Sequence, residues 1–477
     1  MRKVKMGVIG LGGRGQGLTN TILACEEADV VAVCDLYPDR AAKGAEIVKS
    51  KRGNDAAVYT DYKELLKNPE VEAVLVSTAW ETHIKIAIDS MKAGKITAME
   101  VGGAYDIDEC WELVRTYEET KVPIMMMENC CFDRFELLSL SLVRAGKLGE
   151  LVHCHGAYGH DLRDEITGGY VNRHYRLRNY KARNCENYPT HELGPIAKIL
   201  NINRGNQMVS LVSVASKSAG LKAFAKTDAC PDPTVRDYEW RQGDIVETII
   251  TCAGGETISL KLDTTLPRFY SREFTVRGTK GMAYAEPNMV IIDGECNTHQ
   301  YAQNCNNADK YIDYLPSVWK NITKEELELG HGGMDYLEFK AFFKAIINNE
   351  EMPIDVYDAA AWMAITALSE KSIATGGMPQ AIPDFTRGHW NDVKGYNHAY
   401  AAPEAEAATE AEAEAYTAAQ KKVTAEKNLW ALYDAVKAAK AAGNTKAEAA
   451  AQKKLDAAKV AADKAIVKEM KKAAAKK

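Results

Sequence analysis

Over the first 130 residues, short apolar runs alternate with stretches of helical period. Val4–Ile9 is such a run; a glycine cluster follows it, then a helical stretch around Leu18–Ala24. A second strand, Val30–Cys34, ends on Asp35. Asp61–Lys67 predicts a helix, Val71–Ser77 a third strand, His83–Ala93 a helix and Lys95–Glu100 a fourth strand. Ile107–Thr120 then predicts a helix and Pro123–Met127 a fifth strand. Strand and helix alternating at this spacing predict an α/β Rossmann domain, a doubly wound parallel sheet over residues 1–130.

After about residue 150 the rhythm changes. Leu151–Tyr158, Val209–Ser216, Asp244–Cys252, Thr257–Thr264, Phe274–Gly278 and Met282–Ala285 read as strands without helices between them. They predict an α+β second domain, residues 131–397, built on an open antiparallel sheet and devoted to substrate and oligomerisation. Helices return at Gly194–Leu200, Tyr336–Ile347 and Val356–Ser372. Residues 398–477 shift sharply to Ala, Lys and Glu. There Leu429, Leu432, Tyr433 and Val436 form a helical stripe, Gly443-Asn444 breaks it, and Thr445-x-x-Glu448 is a capping box that restarts it. A linker and helical extension is the expectation, and a solvated low-complexity tail is the alternative.

Composition narrows the class. The net charge of −6 is too mild to argue for nucleic acid or an anionic membrane. No apolar run approaches the roughly 18–20 residues needed to span a bilayer, and the basic start breaks at Gly10 before a signal-peptide core can form. The 11 cysteines are odd in number, scattered and without a Cys-x-x-Cys, which fits reduced thiols in a cytoplasmic protein.

The clearest chemistry is Gly10-Leu-Gly12-Gly13-Arg14-Gly15, between a strand and a helix, with Asp35 twenty positions beyond Gly15. The first glycine allows a tight turn, the second a close approach to pyrophosphate, and the third helix-on-strand packing. Helix N-terminal amides meet the phosphate charge. Asp35 would accept from the ribose diol and repel a 2′-phosphate, so NAD is favoured over NADP. Arg14 either touches phosphate or is an exposed loop arginine. Farther along, Tyr188-Pro189-Thr190-His191 offers two groups able to move protons. His153 and His155 share a strand face, but no carboxylate lies close in sequence, so no metal is expected. His331 and Asp335 open a helix, where a turn-and-cap role is expected.

With these residues in place the chain resembles the Gfo/Idh/MocA oxidoreductases, and within them the NAD-dependent glycosidases of glycoside hydrolase family 109, α-N-acetylgalactosaminidases. The likeness covers roughly residues 3–397. It rests on Gly12-Gly-Arg-Gly15, Trp80-Glu-Thr-His83, Glu100-Val101, Glu128-Asn129-Cys-Cys131 and His160-Asp-Leu-Arg163. It continues through His174-Tyr-Arg-Leu-Arg178, Tyr188-Pro-Thr-His191-Glu-Leu-Gly-Pro195, Thr264-Thr-Leu-Pro-Arg268 with Tyr270, and Gly330-His-Gly-Gly-Met-Asp-Tyr336. Two departures stand out. Thr82 replaces the branch's usual Trp, and Val101 stands where the family's ordinary dehydrogenases carry the lysine of Glu-Lys-Pro. Asn187 occupies the position where many of its sugar dehydrogenases have Asp.

The resemblance implies that Gly10, Gly12, Gly13, Arg14, Gly15, Asp35, Trp80, Glu81, Thr82, His83, Glu100, Val101, Asn129 and Tyr188 line NAD. It implies that Tyr158, Arg176, Tyr188, Pro189, Thr190, His191 and Tyr270 line a sugar. The implied reaction oxidises C3, which acidifies C2–H; elimination expels the aglycone, water adds at C1, and C3 is reduced again. His191, with an ordinary pKa of about 6.5, is the expected base for the C3 hydroxyl. Tyr158 is assigned to C2, although a phenol with a pKa of about 10 needs an electropositive setting, which Arg176 would supply. A carbohydrate substrate and a homo-oligomer are expected, with no nucleic acid or membrane partner and no metal. The alternatives are a sugar or inositol dehydrogenase and a non-catalytic sugar- or NAD-binding protein.

Overall fold

The structure, a computed structural model, describes residues 2–392 and scattered positions between 435 and 457. Apart from those positions, which are helical, the extension expected at 398–477 lies outside the described residues. The chain divides into units 1–401 and 402–477, and the first holds both sheets.

Six strands form the first sheet: β1 (Val4–Ile9), β2 (Ala28–Cys34), β3 (Ala57–Tyr59), β4 (Ala73–Val76), β5 (Ile96–Glu100) and β6 (Ile124–Met127). Their order is β3-β2-β1-β4-β5-β6, with every pairing parallel. The strand order reverses between β1 and β4, the point where such sheets open a ligand crevice at their carboxyl ends. The helix after β1 spans Gly13–Ala24 and begins five residues before its apolar stripe, because the glycine loop itself supplies the first turn. The helix Pro38–Arg52 has no counterpart in the sequence pattern. It buries only Ala41, Gly44 and Val48, too small a stripe to read.

The second sheet has eight strands: β7 (Leu151–Gly159), β8 (Met208–Ala215), β9 (Ile245–Cys252), β10 (Thr257–Asp263), β11 (Thr275–Gly278), β12 (Gly281–Tyr284), β13 (Met289–Ile292) and β14 (Gln380–Ala381). They run in the order β13-β12-β11-β7-β10-β9-β8-β14. Neighbours are antiparallel, as expected, except β7 and β10, which run parallel with Tyr158 opposite Leu262. These two are joined by a long connection rather than a hairpin, so nothing local imposes the antiparallel direction. The sheet is one-sided: on β9, Val246, Thr248 and Ile250 are buried while Glu247, Ile249 and Thr251 are exposed.

The helix Val356–Ala374 ties the halves together. It is buried along most of its length, with Trp362 fully enclosed, and it packs against β6, β8 and the helix Ile107–Thr120. Its Met363 O accepts from Ala104 N (3.0 Å), its Thr366 Oγ1 donates to Glu186 O (2.7 Å), and its Ser369 Oγ accepts from Glu186 N (2.8 Å). The segment entering Tyr188–His191 is therefore fixed from behind.

Candidate active site

The glycine loop fits a dinucleotide. Gly10 has φ +95°, and a Cβ there would meet Ser77 O at 2.5 Å. A Cβ on Gly15 would fall 2.0 Å from Gly10 O, so helix and strand pack backbone to backbone. At Gly13, by contrast, a Cβ would meet nothing within 4 Å. The amides opening the Gly13–Ala24 helix thus remain uncovered for a pyrophosphate. Asp35 Oδ2 accepts from Leu11 N (2.6 Å) and Oδ1 from Tyr37 N (2.9 Å), which closes the loop on β2. A carboxylate has further lone pairs to offer a ribose diol.

Arg14 is an anchor. Its Nε donates to Glu100 Oε1 (2.8 Å), and its Nη1 and Nη2 fork onto Asp335 at 2.6 and 3.1 Å. Asn129 Nδ2 also donates to Asp335 (2.7 Å), and His331 Nδ1 lies 3.0 Å from it. Burial alone would raise the Asp335 carboxyl, but the bonds from His331 and Arg14 outweigh it and hold it well below the usual range. The turn-and-cap expectation for Asp335 is corrected here: Gly333 is the N-cap and makes no side-chain bond, while Asp335 reaches across to the glycine loop. Glu100 Oε2 accepts from Val101 N (3.1 Å). Glu81 pairs with Arg178, Thr82 Oγ1 bonds Thr78 Oγ1 and Ala79 O, and His83 Nε2 meets Thr78 O at 3.1 Å. Much of this polar surface is engaged by the protein itself, while Trp80 Nε1, Glu81 Oε2 and His83 Nδ1 are buried without a hydrogen-bond partner.

The sugar-side residues converge. Trp80 and Tyr188 stack with centroids 5.3 Å apart, and the Arg176 guanidinium sits over both rings at 4.8 and 5.0 Å. Tyr188 lies 4.6 Å from Tyr158 and 4.7 Å from His191, and Tyr158 lies 5.4 Å from His191. Tyr270, partly exposed, is 6.5 Å from Tyr158. Pro189 leads into the helix Thr190–Ile199 with φ −69°, so His191 falls in the first turn and Thr190 is fully buried. Two glycines permit this closeness. A Cβ on Gly156 would lie 2.8 Å from Glu192 O, and one on Gly194 2.8 Å from Glu128 Cγ.

His191 Nδ1 lies 2.7 and 3.0 Å from the two oxygens of Glu128, which is completely buried at the end of β6. With Nδ1–H donated to that carboxylate, Nε2 is the proton-accepting nitrogen. Burial would raise Glu128, but His191, through its hydrogen bond and through its charge once it is protonated, prevails and holds the carboxyl below its ordinary value. Glu128 stands within the Glu128–Cys131 motif but is not among the site residues that the resemblance implies. The signal was its place at the carboxyl end of a parallel strand. Asn187 is buried and donates to Gln242 Oε1 (2.6 Å), so the carboxylate for His191 comes from the Rossmann half instead.

Burial pushes the Tyr158 phenol up to about 12, and Arg176 offsets this only in part. Tyr158 Oη is 3.2 Å from His160 Nδ1. Cys130 brings its sulfur near the Glu128–His191 pair, with donor atoms of all three within 4.8 Å. The Cys130 thiol is raised by burial and Nδ1 is already hydrogen-bonded, so the trio reads as a dyad beside a protonated thiol. On β7, His155 Nε2 meets Glu273 at 3.2 Å, a carboxylate distant in sequence that also binds Lys261. No helix among the described residues is long and apolar enough to cross a membrane.

Comparison with known proteins agrees with this layout. Residues 4–128 match the oxidoreductase family, NAD-binding Rossmann fold, and residues 132–392 match the glycosyl hydrolase 109 C-terminal domain. An alpha-N-acetylgalactosaminidase of Tannerella forsythia is 36% identical over 410 residues, covering 81% of this chain and 87% of the relative. A Shewanella oneidensis protein of the same name is 36% identical over 404 residues, covering 83% and 87%. Among solved structures, myo-inositol 2-dehydrogenase from Lactobacillus plantarum superposes with a TM-score of 0.58 at 15% identity, covering 80% of this chain and 100% of that one. At that identity the likeness is one of fold.

Proposed function

The chain belongs to glycosyl hydrolase family 109 and carries an NAD-binding Rossmann domain, and from that premise we propose that it hydrolyses α-N-acetylgalactosaminides by transient oxidation at C3. Residues 1–130 hold the cofactor and 131–397 the sugar. NAD, which the glycine loop and Asp35 would hold, would supply a reversible hydride acceptor for C3 and, when oxidised, a positive charge beside the sugar.

His191 Nε2 takes the C3 hydroxyl proton, while Glu128 holds the ring and stabilises the imidazolium that forms. With C3 a ketone, the C2 proton becomes acidic. Tyr158 Oη removes it, the C1 substituent leaves, and Tyr158 returns a proton to C2 after water adds. Burial outweighs Arg176 and leaves the Tyr158 phenol at about 12, so this base role needs the further positive charge that an oxidised cofactor would bring. Arg176, Tyr188 and Tyr270 bind and orient the ring. Val101 leaves His191 as the base where simple dehydrogenases use lysine. The one-sided second sheet supplies a face for a homo-oligomer, and the protein works in the cytoplasm.

The observation that carries this reading is His191, held by the buried Glu128, with its ring centroid 5.4 Å from that of Tyr158. Turnover of p-nitrophenyl α-N-acetylgalactosaminide in D2O tests it. Nitrophenol release with deuterium at C2 of the freed sugar and no net NADH is the expected result. Release without C2 deuterium overturns elimination. Accumulating NADH without release would assign a sugar or inositol dehydrogenase, and binding without any turnover a non-catalytic protein.

A further inference from the structure

We infer that a segment of the sugar half, residues 168–175, clasps the rim of the cofactor groove through Arg173 and Asp39, and that this clasp sets how long NAD stays bound between turnovers. The inference rests on the cofactor reading and is independent of which sugar is cleaved.

The segment joins the helix Arg163–Thr167 to the helix Arg176–Ala182 and touches the Rossmann half at two places. At the first, Arg173 forks onto Asp39, with Nη1 to Oδ1 at 3.0 Å and Nη2 to Oδ2 at 2.7 Å. Its guanidinium also lies 4.4 Å from the Tyr37 ring centroid, and Arg40 stacks on the same ring at 5.1 Å. Arg40 Nη2 donates in turn to Asn172 O (2.8 Å). These residues follow directly on Asp35, and Tyr37 N is itself one of its hydrogen-bond donors. At the second place Tyr175 packs on Trp80 (4.8 Å), and Arg178, just beyond, pairs with Glu81. The contacts therefore lie after β2 and after β4. Between those strands in the sheet stands β1, which carries the glycine loop. A dinucleotide held by that loop and by Asp35 would lie in the stretch that the segment bridges.

Arg173 adopts φ +52°, the left-handed region that non-glycine residues rarely occupy. The turn is closed by His174 N donating to Gly169 O (2.7 Å), and the fork onto Asp39 holds the arginine there. A tie so placed resists opening of the groove. Because Arg173 and Asp39 are both exposed, it is a weak tie that salt screens, so it governs release without locking the cofactor in permanently. Their exposure also means that reversing either charge spares the core.

The test is exchange of bound, isotopically labelled NAD from the holoprotein into excess unlabelled NAD. Arg173→Asp and Asp39→Arg are each expected to speed exchange by roughly threefold to tenfold, with melting temperature unchanged. The double variant Arg173→Asp/Asp39→Arg restores most of the slow rate. High salt speeds exchange in the wild type but not in Arg173→Asp. Equal exchange rates across all four proteins, or a double variant as fast as the singles, would overturn the clasp alone. Wild-type protein that takes up no NAD would overturn the cofactor reading and the clasp with it.

Discussion

His191 and Glu128 come from opposite halves of the molecule, and neither does its proposed work without the other. His191→Ala should lose turnover by about 10²–10⁴-fold while the purified protein still carries NAD, as absorbance of the denatured supernatant would show. Glu128→Gln keeps the size and a hydrogen bond but removes the charge that favours imidazolium. A loss on the order of 10²-fold or more in kcat is expected, by analogy with the carboxylate of a serine-protease triad. An unchanged kcat would remove Glu128 from the mechanism. Much of this was legible in sequence, since Tyr188, His191, Tyr158, Arg176 and Tyr270 do meet in space. The partners were not legible. Glu128 to His191 and Arg14 to Asp335 are contacts over long stretches of chain, and spacing carries no information about them.

At the scale of elements, the Thr190–Ile199 helix is set between two buried carboxyls, Glu186 just before it and Glu192 in its first turn. Burial raises both, Glu186 to about 8, and the proximity of the two adds to the rise at Glu192. The fold thus retains protons that the unfolded chain gives up above about pH 4.5. Stability conferred by this pair is complete below that pH and is lost as pH climbs through about 8. Melting temperature should therefore fall between pH 5 and 8.5, and Glu192→Gln should flatten the slope; an identical slope in the variant would show that the pair is not protonated. The sequence marks this helix four residues late, at Gly194, because Thr190 and His191 are polar and the helix is covered by β7 and the Asn129–Phe132 turn, both distant in sequence. The parallel β7–β10 pairing was likewise hidden, since a strand pattern shows direction only where a short turn joins neighbours.

At the scale of the whole molecule, the Val356–Ala374 helix transmits the position of one half to the other. Trp362→Ala should cost about 3–5 kcal/mol in denaturant unfolding, a loss large enough to tell core packing from surface support. The open face of the second sheet, with Val152, Val209, Val214 and Ile249 exposed, predicts self-association. Light scattering should give a mass above that of one chain, and Ile249→Lys should reduce it toward the monomer. The α/β order was readable because buried parallel strands appear as continuous apolar runs. The identity of the sugar was not, since specificity lies in a few side chains around an aromatic cluster of general use.

The proposed reaction oxidises C3 of the sugar and restores it within one turnover. Cleavage of an α-N-acetylgalactosaminide carrying deuterium at C3 tests it most directly. The expected result is slowed turnover with the deuterium still at C3 of the released sugar and none in free NADH. Unslowed cleavage, together with normal cleavage of the 3-deoxy glycoside, would contradict it.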